Sequence, residues 1–89
     1  MFLHLGSDIS VKTKNIIAIM DLETSSVSKI TKEFLKKLKK ENIINVKSDE
    51  LPKSYVITEE NGENKIYISP ISSRTLNKRA ENKIMFDYS

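Results

Sequence analysis

Cationic side chains are the residues of this chain whose types and spacing could do chemistry, and the chemistry is contact with phosphate. A helix is predicted from Ser26 to about Lys40. At 100° per residue, Lys29, Lys32, Lys36, Lys39 and Lys40 gather on its side opposite Phe34 and Leu38, with Glu33 the interrupting acid. Lys12 and Lys14 lead into an apolar run, Lys53 stands in a polar loop, and Arg74, Lys78 and Arg79 fall in a C-terminal helical stretch. Thirteen of the fifteen basic residues are lysine, which favours point charges for a phosphate backbone over the bidentate arginine forks that read guanine edges. Like charges three and four apart on a helix repel by a few tenths of a kcal/mol per pair, a cost that a polyanion relieves. The competing reading is a solvated face that keeps a small protein soluble, and Lys39 and Lys40 also suit the negative end of the helix dipole.

Other chemistry is poorly supplied. With a single histidine, His4, and no cysteine, two-histidine and thiolate metal sites are ruled out, and His4 is expected to make a structural hydrogen bond in a strand. Two glycines leave no phosphate-cradling loop and no Gly-x-Ser-x-Gly elbow. The serines cluster at turns and caps, where backbone bonding accounts for them, and no pair of acids stands out as acid and base. The expectation is a non-enzymatic protein with no metal, no cofactor and no small-molecule substrate.

Eighty-nine residues make one domain, which buries only roughly 60–65% of its unfolded surface, so self-association would add to its stability. A net charge of +3 is too modest to identify a nucleic-acid binder; the distribution of charge carries that argument. The N-terminal stretch has no basic leader region and no run approaches a membrane span, so a cytoplasmic location with no membrane partner is expected.

The elements that must position the cations follow from periodicity. Phe2 to Leu5 reads as a strand ending at a Gly6-Ser7 turn, and Ile9, Val11 and Thr13 alternate with polar residues to form a small antiparallel unit. Asn15 to Leu22 is the densest apolar run and is predicted as the central strand, shielded on both faces. The helix capped by Thr24, Ser25 or Ser26 sets Val27, Ile30, Phe34, Leu35 and Leu38 in one stripe and is expected to pack across the sheet. Ile43, Ile44 and Val46 suggest an extended return.

A turn at Asn61-Gly62 pairs Ile57 with Ile66, Tyr55 with Ile68 and Glu60 with Glu63. The other hairpin face, with Val56, Thr58, Lys65 and Tyr67, is open to two readings: half exposed, or met by a neighbouring subunit. Pro70 stops the last strand, and Ser72 or Ser73 caps a short helix with Leu76, Ala80 and Ile84 in line. The predicted class is α+β: a small, mainly antiparallel sheet, one long amphipathic helix across it and a short C-terminal helix, with a domain over residues 1–84 and a tail over 85–89.

Four stretches together resemble a known family: Phe2-Leu3-His4-Leu5-Gly6, the run Val11 to Asp21, Phe34-Leu35-Lys36-Lys37, and Pro52-Lys53-Ser54 leading to the segment from Ser69-Pro70-Ile71-Ser72-Ser73-Arg74-Thr75-Leu76 to Ala80. They resemble the extracellular matrix regulatory proteins of Gram-positive bacteria, and within them the B-type, RemB-like branch, over most of residues 1–81. The resemblance implies a small cytoplasmic regulator of matrix and biofilm genes. The A-type branch forms rings that bind DNA, so a homo-oligomer, ring-like in form, is the implied expectation here, with DNA as partner. Lys14 and Lys53 stand where the A-type pattern has arginine or an arginine-rich segment, which implies contact through the phosphate backbone. The sites expected to carry it are Lys12, Lys14, Lys53, Lys32, Lys36, Arg74, Lys78 and Arg79. A rival from another class is an oligomeric module that recruits a protein partner without touching DNA.

Overall fold

The structure, a computed structural model, describes the backbone of residues 1–22, 33 and 36–88 and the side chains through Ala80. Strands β1 (Phe2–Gly6) and β2 (Ile9–Lys12) form an antiparallel pair with Leu3 opposite Val11 and Phe2 opposite Lys12. Gly6 and Ser7 turn the chain at φ of 119° and 50°. Gly6 is also placed tightly: a Cβ there would lie 3.1 Å from Val46 Cγ1 and 3.2 Å from Pro70 Cγ.

A separate four-stranded sheet is built from β3 (Ile16–Asp21), β4 (Ile43–Asn45), β5 (Ser54–Glu60) and β6 (Glu63–Ser69), in the order β3-β5-β6-β4. β4 runs parallel to β6 and the other pairs are antiparallel, so the sheet is mixed. The hairpin between β5 and β6 turns at Asn61 and Gly62, both at positive φ, the two-residue geometry that matches strand twist. Its register is the predicted one: Ile57 opposes Ile66, Tyr55 opposes Ile68 and Glu60 opposes Glu63.

The apolar run Asn15 to Leu22 is not central. It supplies β3, at one edge, while the two seven-residue hairpin strands take the middle. An apolar run reports shielding of a strand's faces and says nothing about its lateral position in the sheet. Ile16 and Ile19 do pack on the core, yet Ile17, the extra residue of a bulge, is 56% exposed.

The hairpin face with Val56, Thr58, Lys65 and Tyr67 is covered in part by the chain itself: Val56 and Thr58 are buried, and Lys65 and Tyr67 are half-buried. Val56 and Tyr67 belong to the main core, with Leu3, Leu5, Val11, Val46 and Leu76. The N-terminal unit folds back over this face, a long-range event that the hairpin's local pattern does not encode. On the opposite face Ile57 and Ile66 are also buried.

Helix α1 (Ser73–Tyr88) has 16 residues, so it is not short, and its backbone continues through residues read as a tail. It packs against β1 and β3, with Leu76 fully buried. The predicted helix from Ser26 to Lys40 lies mostly outside the described residues. Glu33, Lys36 and Lys37 are helical, and Lys40 opens a 3-10 turn, Lys40–Asn42, so that helix ends before Lys40. The class is α+β, with two sheets and a C-terminal helix.

Candidate functional site

The Ser-Pro-x-Ser-Ser segment is a joint between elements. Ser69 is buried and its Oγ donates to the Leu5 carbonyl at 2.6 Å, while accepting from the Ile71 N–H at 3.0 Å. Ser54, also buried, donates from Oγ to the Ile71 carbonyl at 2.7 Å. Ser72 caps α1: its Oγ accepts from the Thr75 N–H at 3.2 Å, and its carbonyl accepts from the Leu76 N–H at 3.0 Å. These hydroxyls are committed to the fold, and the exposed cations beside them are what the joint presents outward.

At this end of the sheet stand Lys53 and Arg74, both exposed. The Lys53 N–H donates to the Ser69 carbonyl at 2.8 Å, which ties the Lys53 backbone to the segment that leads into α1. Arg74 lies in the first turn of α1, where there is no acidic residue, and Lys78 and Arg79 follow at one turn's spacing, also exposed. Cations near a helix N-terminus oppose the dipole, by about 0.3–1 kcal/mol each at exposed first-turn positions. The start of α1 therefore combines a positive dipole end with basic side chains.

Lys12 and Lys14 lie elsewhere. Both are exposed, and with Met1, Phe2 and Thr13 they line a shallow cleft of about 220 Å³. The Thr13 N–H donates to the Met1 carbonyl at 3.1 Å, which fixes the 3-10 turn Thr13–Asn15 that carries Lys14. β3 begins directly after this turn, and its other end, Asp21, pairs with Ser54 beside Lys53. Five strand steps separate the two ends, roughly 16 Å. The structure thus brings Lys53 and Arg74 to one end and Lys12 and Lys14 to the other.

Lys36 is exposed on helical backbone, and Lys32 lies outside the described residues. Lys47, a lone charge in a polar loop that no pattern in the sequence marks out, is exposed and lines a second cleft of about 370 Å³ with Asn45, Val46, Ser48, Glu50 and Pro52. His4 makes the expected structural bond, Nε2 to the Ser7 carbonyl at 2.8 Å across the β1–β2 turn. Among the described residues no group of histidine, aspartate and glutamate side chains could hold a metal ion, and no helix is long and apolar enough to cross a membrane.

Fold and surface define a small α+β domain that presents basic side chains at both ends of its larger sheet. The family model for proteins like extracellular matrix regulatory protein A matches residues 2–80, and the chain belongs to this RemA-like family. It is 44% identical over 81 residues to extracellular matrix regulatory protein B of Bacillus subtilis (strain 168), covering 91% of each chain. The family is named for regulation and not for a reaction.

Proposed function

We propose that this protein is a non-enzymatic, cytoplasmic regulator of extracellular matrix and biofilm gene expression that assembles into a ring-like homo-oligomer and contacts DNA phosphates through its lysines and arginines. The observation that carries the reading is the joint at the start of α1. The hydroxyls of Ser54, Ser69 and Ser72 are engaged within the fold, whereas Lys53 and Arg74 remain exposed at a helix N-terminus, with Lys78 and Arg79 exposed one turn further along. Each copy offers few cations, so repetition around an oligomer would multiply weak contacts into useful affinity. Membership of a matrix-regulatory family supports the biological setting.

Titration against duplex DNA at several salt concentrations tests the reading. Affinity should fall steeply with salt, with the logarithm of the association constant losing about 0.9 per decade of salt for each phosphate contacted. Absence of binding at low ionic strength would replace this reading with the second one, an oligomeric module that recruits a protein partner. That second reading has an observation of its own in Leu51, an apolar side chain 82% exposed on the loop before β5.

A further inference from the structure

We infer that the two edges of the four-stranded sheet are made for each other, so that β3 of one copy pairs with β4 of the next; the inference rests on the self-association in the proposed function and names its surface. Among the described residues, β3 and β4 end the sheet on its two sides. A strand edge presents a row of backbone donors and acceptors, and proteins that remain single guard such edges with charged side chains, proline, short strands, bulges or a cover. β3, Ile-Ile-Ala-Ile-Met-Asp, has neither lysine nor proline, and its bulge turns out an isoleucine, Ile17, rather than a charge. β4, Ile-Ile-Asn, is only three residues long but carries no charge, so the ladder it offers is short and without a repelling side chain.

Direction favours the pairing. β3 is antiparallel to β5 and β5 to β6, so β3 runs parallel to β6 and hence to β4. A second copy that continues the sheet brings its β4 alongside β3 in parallel, the same pairing that β4 already makes with β6. The outward groups are identifiable on β4. The Val46 N–H donates inward to the Ile68 carbonyl at 3.0 Å, and because successive N–H groups on a strand alternate sides, that of Asn45 points to the open edge. A second copy is the occupant because each chain supplies one edge of each kind, and a contact between unlike patches repeats until rotation closes it. Exposed Met1 and Phe2 adjoin the same region: the Met1 carbonyl holds the turn from which β3 starts, so apolar surface flanks the edge.

The test uses two single variants of the full chain, Ile17→Lys on the β3 edge and Asn45→Pro on the β4 edge, with Leu51→Lys as an exposed apolar control. Mass in solution is read by light scattering over a range of concentrations, and far-ultraviolet circular dichroism checks that each variant is folded. The wild type and Leu51→Lys should have a mass several times the chain's 10.2 kDa, and each edge variant alone should have the mass of one chain. An equimolar mixture of the two edge variants should form a species of two chains and nothing larger, because one intact β3 meets one intact β4. Edge variants that keep the wild-type mass, or a mixture that stays at one chain, would overturn the pairing while leaving oligomerisation standing. A wild type of one chain at every concentration would overturn both.

Discussion

Ser69 and Leu5, 64 residues apart in sequence, are joined by a 2.6 Å hydrogen bond from the serine Oγ to the leucine carbonyl. It ties the end of β6 to the end of β1, and the same oxygen accepts the Ile71 N–H that starts the chain toward α1. One buried hydroxyl therefore fixes how the N-terminal pair, the larger sheet and the helix meet.

Ser69→Ala removes this bond and leaves the Leu5 carbonyl and the Ile71 N–H without it in a buried setting. Leaving buried polar groups unpaired costs about 1–3 kcal/mol, so the variant should unfold at a lower urea midpoint with an unchanged slope. Ser69→Thr keeps a hydroxyl and should recover part of the loss unless its methyl meets the Leu5 backbone. An unchanged midpoint for Ser69→Ala would show that the joint is held without this bond.

The two glycines should respond unequally to alanine. Gly62 has open space around it, so Gly62→Ala meets only the cost of a left-handed backbone, about 1–2 kcal/mol. Gly6 sits at φ 119°, outside the region that alanine tolerates even in turns, and its Cβ would press on Val46 and on the Pro70 ring. Gly6→Ala should therefore lower the urea midpoint more than Gly62→Ala does, and the reverse order would contradict the packing described around Pro70.

Local signals were readable where chemistry is local. Asn61-Gly62 fixed the register of Ile57 against Ile66, and Gly6-Ser7 marked the N-terminal turn, because both need backbone conformations that few residues supply. Position within the sheet was not readable. The isoleucines of β3 advertise shielded faces, and nothing in them says that β5 and β6 lie to one side only. The cations were legible as residues but not as groups: Lys14 and Lys53 belong to opposite ends of β3, and Arg74 joins Lys53 only because Ser69 and Ser54 close the joint between them.

Ser72 caps the turn of α1 that carries Arg74. Ser72→Ala should cost about 1 kcal/mol, as N-cap losses do, and fray the first turn of α1. Ser73→Ala, one residue inside the helix, should cost less. Amide hydrogen exchange at Thr75 checks the assignment: its N–H should lose protection in Ser72→Ala and keep it in Ser73→Ala.

The two basic ends can be told apart by the slope of DNA affinity against salt. Lys53→Glu and Arg74→Glu act at the end where α1 starts, and Lys12→Glu and Lys14→Glu act at the other. All four residues are exposed; reversal at Lys12, Lys14 and Lys53 should leave stability within about 0.5 kcal/mol, Arg74→Glu should raise it by replacing a cation with an anion in the first turn of α1, and any loss of binding therefore reports contact rather than unfolding. A residue that touches phosphate should, when reversed, weaken binding to every duplex alike and reduce the salt slope by about 1. Because the joint combines its cations with a helix N-terminus, the first pair should lose more affinity than the second. Equal losses at both ends would mean that the DNA spans the full length of β3. A loss confined to Lys12 and Lys14 would move the interface to the cleft beside Met1 and Phe2 and end the assignment to α1.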